Sequence, residues 1–300
     1  MDKIENHKLK FKNNVVVMKA LVVLLIVVGT CWVGGCAGNL VGCEAKQTQK
    51  ADANSVEVVL EKLKKQTGEL KSYQSRIEYK FSQPLLESET LRKGILYYQR
   101  AGGKSALRIN FQTLRQDDEE EQKYIEQYIF DGVWLTHIDY QIKEVRRYQQ
   151  AEPNQPVDAF ELARENFPII GFSKTEDLRK EFEISLVDST GSPQVEQKPP
   201  VVPAQPVIPA QAGIQNSIHL HLKVKEDSIY KDDYTSIDFW IDRRLYLPAQ
   251  IAAVTTEEDI YEIKLLDAKV NEKIAKKVFE VKIPEGFGME ITPLKEKERN

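Results

Sequence analysis

The sequence predicts an α+β protein, mainly antiparallel β, folded as a strongly curved half-open β-barrel with an amphipathic-helix lid. Three observations predict it. One early stretch carries apolar residues at helical spacing. About ten or eleven later runs alternate apolar and polar side chains with period two, and most are joined by short turns. Two or three short helical stretches remain to cover the sheet that such strands form. A sheet this long twists and curls, and its apolar face has to be buried against something.

The elements follow in order. Residues 55–71 place Val56, Val59, Leu60, Leu63 and Leu70 near i, i+3, i+4, i+7 spacing, with Asn54 or Ser55 able to cap the start and Gly68 near the end. Period two then takes over in 73–83, 94–100 and 106–114, the last being the clearest alternation (Leu107, Ile109, Phe111). The charge run 115–123 reads as a solvated hairpin tip. Strands are expected at 124–130, 133–140 and 143–149, with Asp131-Gly132 a tight turn. A short helix is expected at 157–167, stopped by Pro168, then a helical turn at 175–180 and a strand at 181–187. Further strands are expected at 217–224, 235–242, 246–254 and 259–266, then a helical turn near 270–278 and a last strand at 279–283.

Residues 191–216 break the pattern. Six of the chain's 13 prolines fall there, with no aromatic residue. Such a stretch cannot bury a core and is expected to be a disordered Pro-rich insertion. Its VIPAQAGIQ (207–215) resembles translated intergenic repeat DNA of bacterial genomes.

Composition narrows the chemistry. The 300 residues are 41% hydrophobic and 29% charged, an ordinary globular balance. Net charge is −4, and five lysines (Lys3, Lys8, Lys10, Lys12, Lys19) precede residue 36, so the body is more acidic still. No basic stripe marks a nucleic-acid partner. Cys31, Cys36 and Cys43 all lie in the first 43 residues, leaving the body without disulfide, thiol nucleophile or Cys-based zinc site.

The N-terminus reads as an address. Ala20–Val33 is a nearly uniform apolar run of 14 residues behind Lys19, short for a membrane span, which needs ~20 residues, and suited to a secretory signal. Val33-Gly34-Gly35-Cys36 and Leu40-Val41-Gly42-Cys43 both resemble the bacterial lipobox, whose cysteine is lipid-modified. Cys36 sits directly after the apolar run; Cys43 has the better motif and is the alternative. An uncleaved anchor over 15–33 is a further alternative. The expected organisation is a lipoprotein signal peptide (1–35), a flexible tether (36–54), a half-barrel domain (55–288) and a charged tail (289–300).

The alternation assigns a concave face. Its candidate lipid-binding residues are Leu107, Ile109, Phe111, Ile218, Leu220, Leu222, Ile237, Phe239 and Ile241, with Val56, Leu60 and Leu63 from the helix. Spacing alone leaves open whether they form a solid core or a cavity. His219 and His221 share one strand face but alternate with Ile218, Leu220 and Leu222, so they read as outward and solvated rather than as a metal pair. His137 and Asp139 have no G-x-S-x-G serine beside them. Gly102-Gly103-Lys104 reads as a turn, and Asp232-Asp233 and Glu257-Glu258-Asp259 as turn acids. No catalytic site, metal or cofactor is expected.

Four stretches resemble the LolA/LolB/LppX superfamily of lipoprotein and lipid carriers. They are the helix 55–71 running into Tyr73–Phe81; Gly94–Arg100 with Leu107-Arg108-Ile109; Phe130-Asp131-Gly132-Val133-Trp134-Leu135 with Tyr140 and Val145; and Ile237–Ile251, with Trp240-Ile241-Asp242 and Leu247-Pro248. The resemblance implies an incomplete β-barrel with a helical lid that binds acyl chains of lipoproteins or phospholipids without catalysis. It also maps the family's lid-tying arginine onto Arg100, although Ala101 replaces the proline that follows it in the family. It implies an envelope lipoprotein facing the periplasm, tethered by its N-terminal lipid, more naturally to the outer membrane than the inner. Other lipoprotein-transport proteins are then its partners. The alternative is a non-carrier envelope sensor or scaffold using the same fold.

Overall fold

The computed structural model describes residues 55–159, 175–187 and 216–294. Both candidate cysteines, the signal and tether, most of the expected helix 157–167, the insertion from 191 to 215 and the end of the tail lie outside the described residues.

Among the described residues, twelve strands form one open sheet. They are β1 (Ser72–Gln83), β2 (Ser88–Ala101), β3 (Lys104–Gln116), β4 (Gln122–Phe130), β5 (Trp134–Asp139), β6 (Glu144–Gln149), β7 (Phe182–Val187), β8 (Ser217–Val224), β9 (Tyr234–Asp242), β10 (Pro248–Thr255), β11 (Ile260–Val270) and β12 (Gly288–Thr292). The order is β12-β6-β5-β4-β3-β2-β1-β11-β10-β9-β8-β7. Pairing is antiparallel except between β6 and β12, which run parallel. Among the described residues, the helices α1 (Val56–Gly68) and the short α2 (Thr175–Glu181) accompany it.

α1 begins where Ser55, in extended backbone, accepts a hydrogen bond from the Val58 amide on its side chain. It buries Val59, Leu60, Leu63 and Thr67. One apolar cluster joins these to the inward side chains of β1–β5 and β7–β11. Ile109 on β3, Phe130 on β4 and Leu220 on β8 are almost wholly buried. A flat sheet of twelve strands is ~53 Å wide at ~4.8 Å per strand, while α1 is ~20 Å long at 1.5 Å per residue. So small a helix cannot cover so wide a face; the sheet curls and its concave side chains pack on one another around α1. The incomplete barrel expected from the sequence is this curled, open sheet.

The turns form where local chemistry asks for them. Asp131 Oδ1 accepts from the amides of Val133 and Trp134, with Gly132 at φ +98°. Asp242 Oδ1 accepts from Arg244 and Leu245. Between β2 and β3, Gly102 and Gly103 both take positive φ.

Three expectations need correction. Residues 279–283 are not a strand: Phe279 ends a 3-10 turn, Lys276–Phe279, and Val281 packs on the outer face with Ile129, Ile138 and Val145. The last strand is β12, which starts at the expected domain end, Gly288, and runs into what the sequence reads as the charged tail. Pairing is mainly antiparallel, as expected, and the one parallel pair arises because the chain leaves β11, crosses the convex face and arrives beside β6 in the same direction. The crossing is held by Arg108 on β3, whose Nη1 donates to the carbonyls of Val278 and Glu280 at 2.9 and 3.0 Å. β2 also begins at Ser88, well before Gly94, where the alternation first shows it.

Gly94 sits at the bulge between β2 and β3, where a Cβ would lie 2.0 Å from the Asn110 carbonyl oxygen and 2.8 Å from Phe111 Cα. Both obstacles are backbone. Gly94→Ala is therefore expected to lower stability by about 1–3 kcal/mol, read as a shift of the urea unfolding midpoint at unchanged slope.

Candidate lipid-binding face and its polar corner

Strand parity places the candidate residues on one surface. Leu107, Ile109 and Phe111 on β3, Ile218, Leu220 and Leu222 on β8, and Ile237 and Ile241 on β9 are buried in the same cluster as Leu60 and Leu63 of α1. Val56 and Phe239 belong to it as well but are half-buried. Their registers explain the assembly: Leu220 lies opposite Phe239, Phe239 opposite Ile251, and Ile251 opposite Ile263. Tyr234, Tyr261, Ile184 and Leu186 are further half-buried members.

Few polar contacts hold α1 to this face. Lys62 Nζ donates to the Tyr246 hydroxyl at 2.9 Å, on the β9–β10 turn. Glu57 pairs with Arg179 of α2. At the other end Arg100 Nη1 reaches the Gly68 carbonyl at 3.5 Å, the edge of hydrogen-bond range, while its Nε donates to Asp158 at 3.1 Å. Arg100 thus stands between the end of α1 and the segment whose Ala159 amide donates to Ser105 Oγ. The remaining attachment is apolar, about 5–9 kcal/mol for three fully buried aliphatic side chains.

At the far end of β2 from Arg100, the concave face turns polar. Glu126 on β4 is wholly buried. Its Oε1 accepts from the Tyr128 hydroxyl and from His137 Nε2, each at 2.8 Å. Its Oε2 lies 3.6 Å from Arg92 Nε. Burial opposes the charge on Glu126, but the hydrogen bonds from His137 and Tyr128 and the charge of Arg92 outweigh it. The carboxyl is held below its usual range. His137 stacks on Tyr128 with ring centroids 4.4 Å apart. Arg92 faces the rings of Tyr79 and Tyr124. Burial pushes the hydroxyl pKa values of Tyr79 and Tyr128 up, so both stay protonated donors.

Sequence reasoning missed this corner, though a signal existed. Arg92 shares parity with Leu96 and Tyr98, and Glu126 shares parity with Tyr128 and Phe130. A strand started at Gly94 ends just short of Arg92.

His219 and His221 do point to the convex face, yet they are half-buried rather than solvated. A ring nitrogen of each donates to Asp238 Oδ1, at 2.7 and 2.9 Å, and His219 stacks on Trp240. Burial raises the cost of charge on Asp238, but the two imidazoles more than offset it and its pKa is lowered. Among the described residues no group of three or more His, Cys, Asp or Glu side chains is arranged to hold a metal ion. Nor is any described helix long and apolar enough to cross a membrane.

No family model and no curated protein matches the chain. Solved structures do. It is similar to an uncharacterized conserved protein from Thermus thermophilus (8% identity, TM-score 0.41, covering 79% of this chain and 98% of that one). It is similar to the MucA/MucB complex of Pseudomonas aeruginosa (11%, 0.38, 75% of this chain), where it spans 60% of the matched chain. It is also similar to a LolA superfamily protein from Nitrosomonas europaea (10%, 0.29, covering 75% and 97%). At these identities and TM-scores no residue role transfers to this chain.

Glu126→Gln leaves Arg92 buried without its counter-charge, which costs about 3–5 kcal/mol. Because the folded-state pKa of Glu126 is depressed, the stabilisation is fully present above the ordinary carboxylate pKa of about 4.3 and is lost as pH falls through the lower folded value. Urea midpoints of the two proteins should differ at pH 7 and converge in acid.

Proposed function

We propose that the chain is an envelope lipoprotein that binds acyl chains of lipoproteins or phospholipids on its concave apolar face, with α1 as a movable lid, in the sorting or transfer of lipoproteins to the outer membrane. The observation that carries this reading is the joining of all twelve candidate residues into one apolar cluster, nine on the sheet and three on a helix that shares no backbone ladder with it. Among the described residues, undocking α1 breaks two or three polar contacts and no strand pairing. A buried acyl chain supplies ~0.8 kcal/mol per methylene in return. Arg100 then acts as the tie between lid and barrel.

Lipid modification at Cys36, or at Cys43, would tether the barrel through the segment leading to Ser55. The chain is then a resident receptor or carrier rather than a diffusing shuttle. The second reading, a non-carrier envelope sensor or scaffold, is favoured by one observation: ten of the twelve face residues are already buried.

The full chain with Cys36→Ser and Cys43→Ser, exported and purified without detergent, separates the two readings by native mass spectrometry. The carrier reading predicts about one lipid or acylated peptide per chain. It also predicts loss of that load in Phe239→Asp, a half-buried position where a charge spoils the face without removing a fully buried ring. A lipid-free mass that takes up no added phospholipid contradicts it and leaves the scaffold.

A further inference from the structure

Cross-strand register draws a continuous row over the concave face. Phe239 lies opposite Ile251, Ile251 opposite Ile263, Ile263 opposite Tyr79, and Tyr79 opposite Arg92. Four strand spacings make it ~19 Å long. It starts at the half-buried Phe239 and ends at the polar corner. There Tyr79 Oη, a donor, has no hydrogen-bond partner, and Arg92 Nε and Glu126 Oε2 face each other as an ion pair at 3.6 Å, too far apart for a hydrogen bond. Buried polar atoms are nearly always hydrogen-bonded, and three atoms that lack a hydrogen bond, gathered at the end of an apolar row, ask for an occupant.

We propose that this corner is a head-group subsite, holding the neutral polar end of a single-chain acyl ligand whose tail lies along the row toward Phe239. The inference rests on the acyl-binding reading above and names the ligand class. The occupant must both accept, from Tyr79 and Arg92, and donate, to Glu126: a hydroxyl or an amide does so. Glu126 already balances the charge of Arg92, so a phosphate would bring an uncompensated charge into a buried site. Tyr79, Arg92 and Glu126 therefore select for a glycerol or amide end over an anionic one.

Three probes with one palmitoyl chain test this on the full chain carrying Cys36→Ser and Cys43→Ser: 1-palmitoylglycerol, methyl palmitate, which accepts but does not donate, and 1-palmitoyl lysophosphatidate. Affinity for 1-palmitoylglycerol should exceed that for methyl palmitate by about fivefold, one hydrogen bond's worth, and exceed that for lysophosphatidate as well. Tyr79→Phe should lower the 1-palmitoylglycerol affinity by about fivefold. It should not lower Tm, since its hydroxyl has no partner to lose in the empty protein. Equal affinity for all three probes, with no effect of Tyr79→Phe, leaves the corner to ordered water and overturns the subsite while acyl binding stands. Tighter lysophosphatidate binding also overturns it. Failure of every probe removes acyl binding itself, and the subsite with it.

Discussion

The concave face of the sheet has to be covered, and the rest of the structure is arranged around that constraint. Ten or more strands present aliphatic and aromatic side chains to one side, and leaving them wet would forfeit about 25 cal/mol per Å² of apolar surface. Curling the sheet buries most of it, and α1 covers part of what remains. The helix is amphipathic because it faces the core on one side and solvent on the other. It is capped at Ser55 and ends at Gly68, beside the strand that carries Arg100. A cover attached mainly by side-chain packing is the feature that makes a binding role physically reasonable for this fold.

The convex face has its own economy. Residues 271–287 cross it, pinned by Arg108, and bring Val281 and Phe287 onto Ile129, Ile138 and Val145. The crossing delivers β12 to β6, so a parallel strand closes one flank of an otherwise antiparallel sheet. On the opposite half, Asp238 with His219 and His221 satisfies a buried carboxylate without a metal ligand set. The inward corner contrasts with it: there Arg92, Glu126 and Tyr79 each keep a buried polar atom without a hydrogen bond, although Arg92 and Glu126 form an ion pair.

The strands were legible because one wet face and one dry face impose period two, as in Leu107, Ile109 and Phe111. The concave assignment followed from the same parity, and its fully and half-buried positions fall in one apolar cluster. Where the alternation carries a charge inward, reading failed: Arg92 truncated β2, and the polar corner went unseen. Residues 279–283 alternate like a strand because an extended strap over an apolar patch has the same period, and only a free sheet edge distinguishes the two. β12 was hidden because it has only five residues and is exposed throughout, so the alternation of Met289 and Ile291 with Glu290 and Thr292 marks no buried face.

Whether α1 is a separable cover is decided most directly by native-state hydrogen exchange, followed as denaturant is raised. If the account is right, amides of α1 exchange through a sub-global opening whose free energy lies well below that of β1, β2 and β11. If α1 and those strands exchange with one common free energy, the helix is an inseparable part of a solid core, and the lid is contradicted.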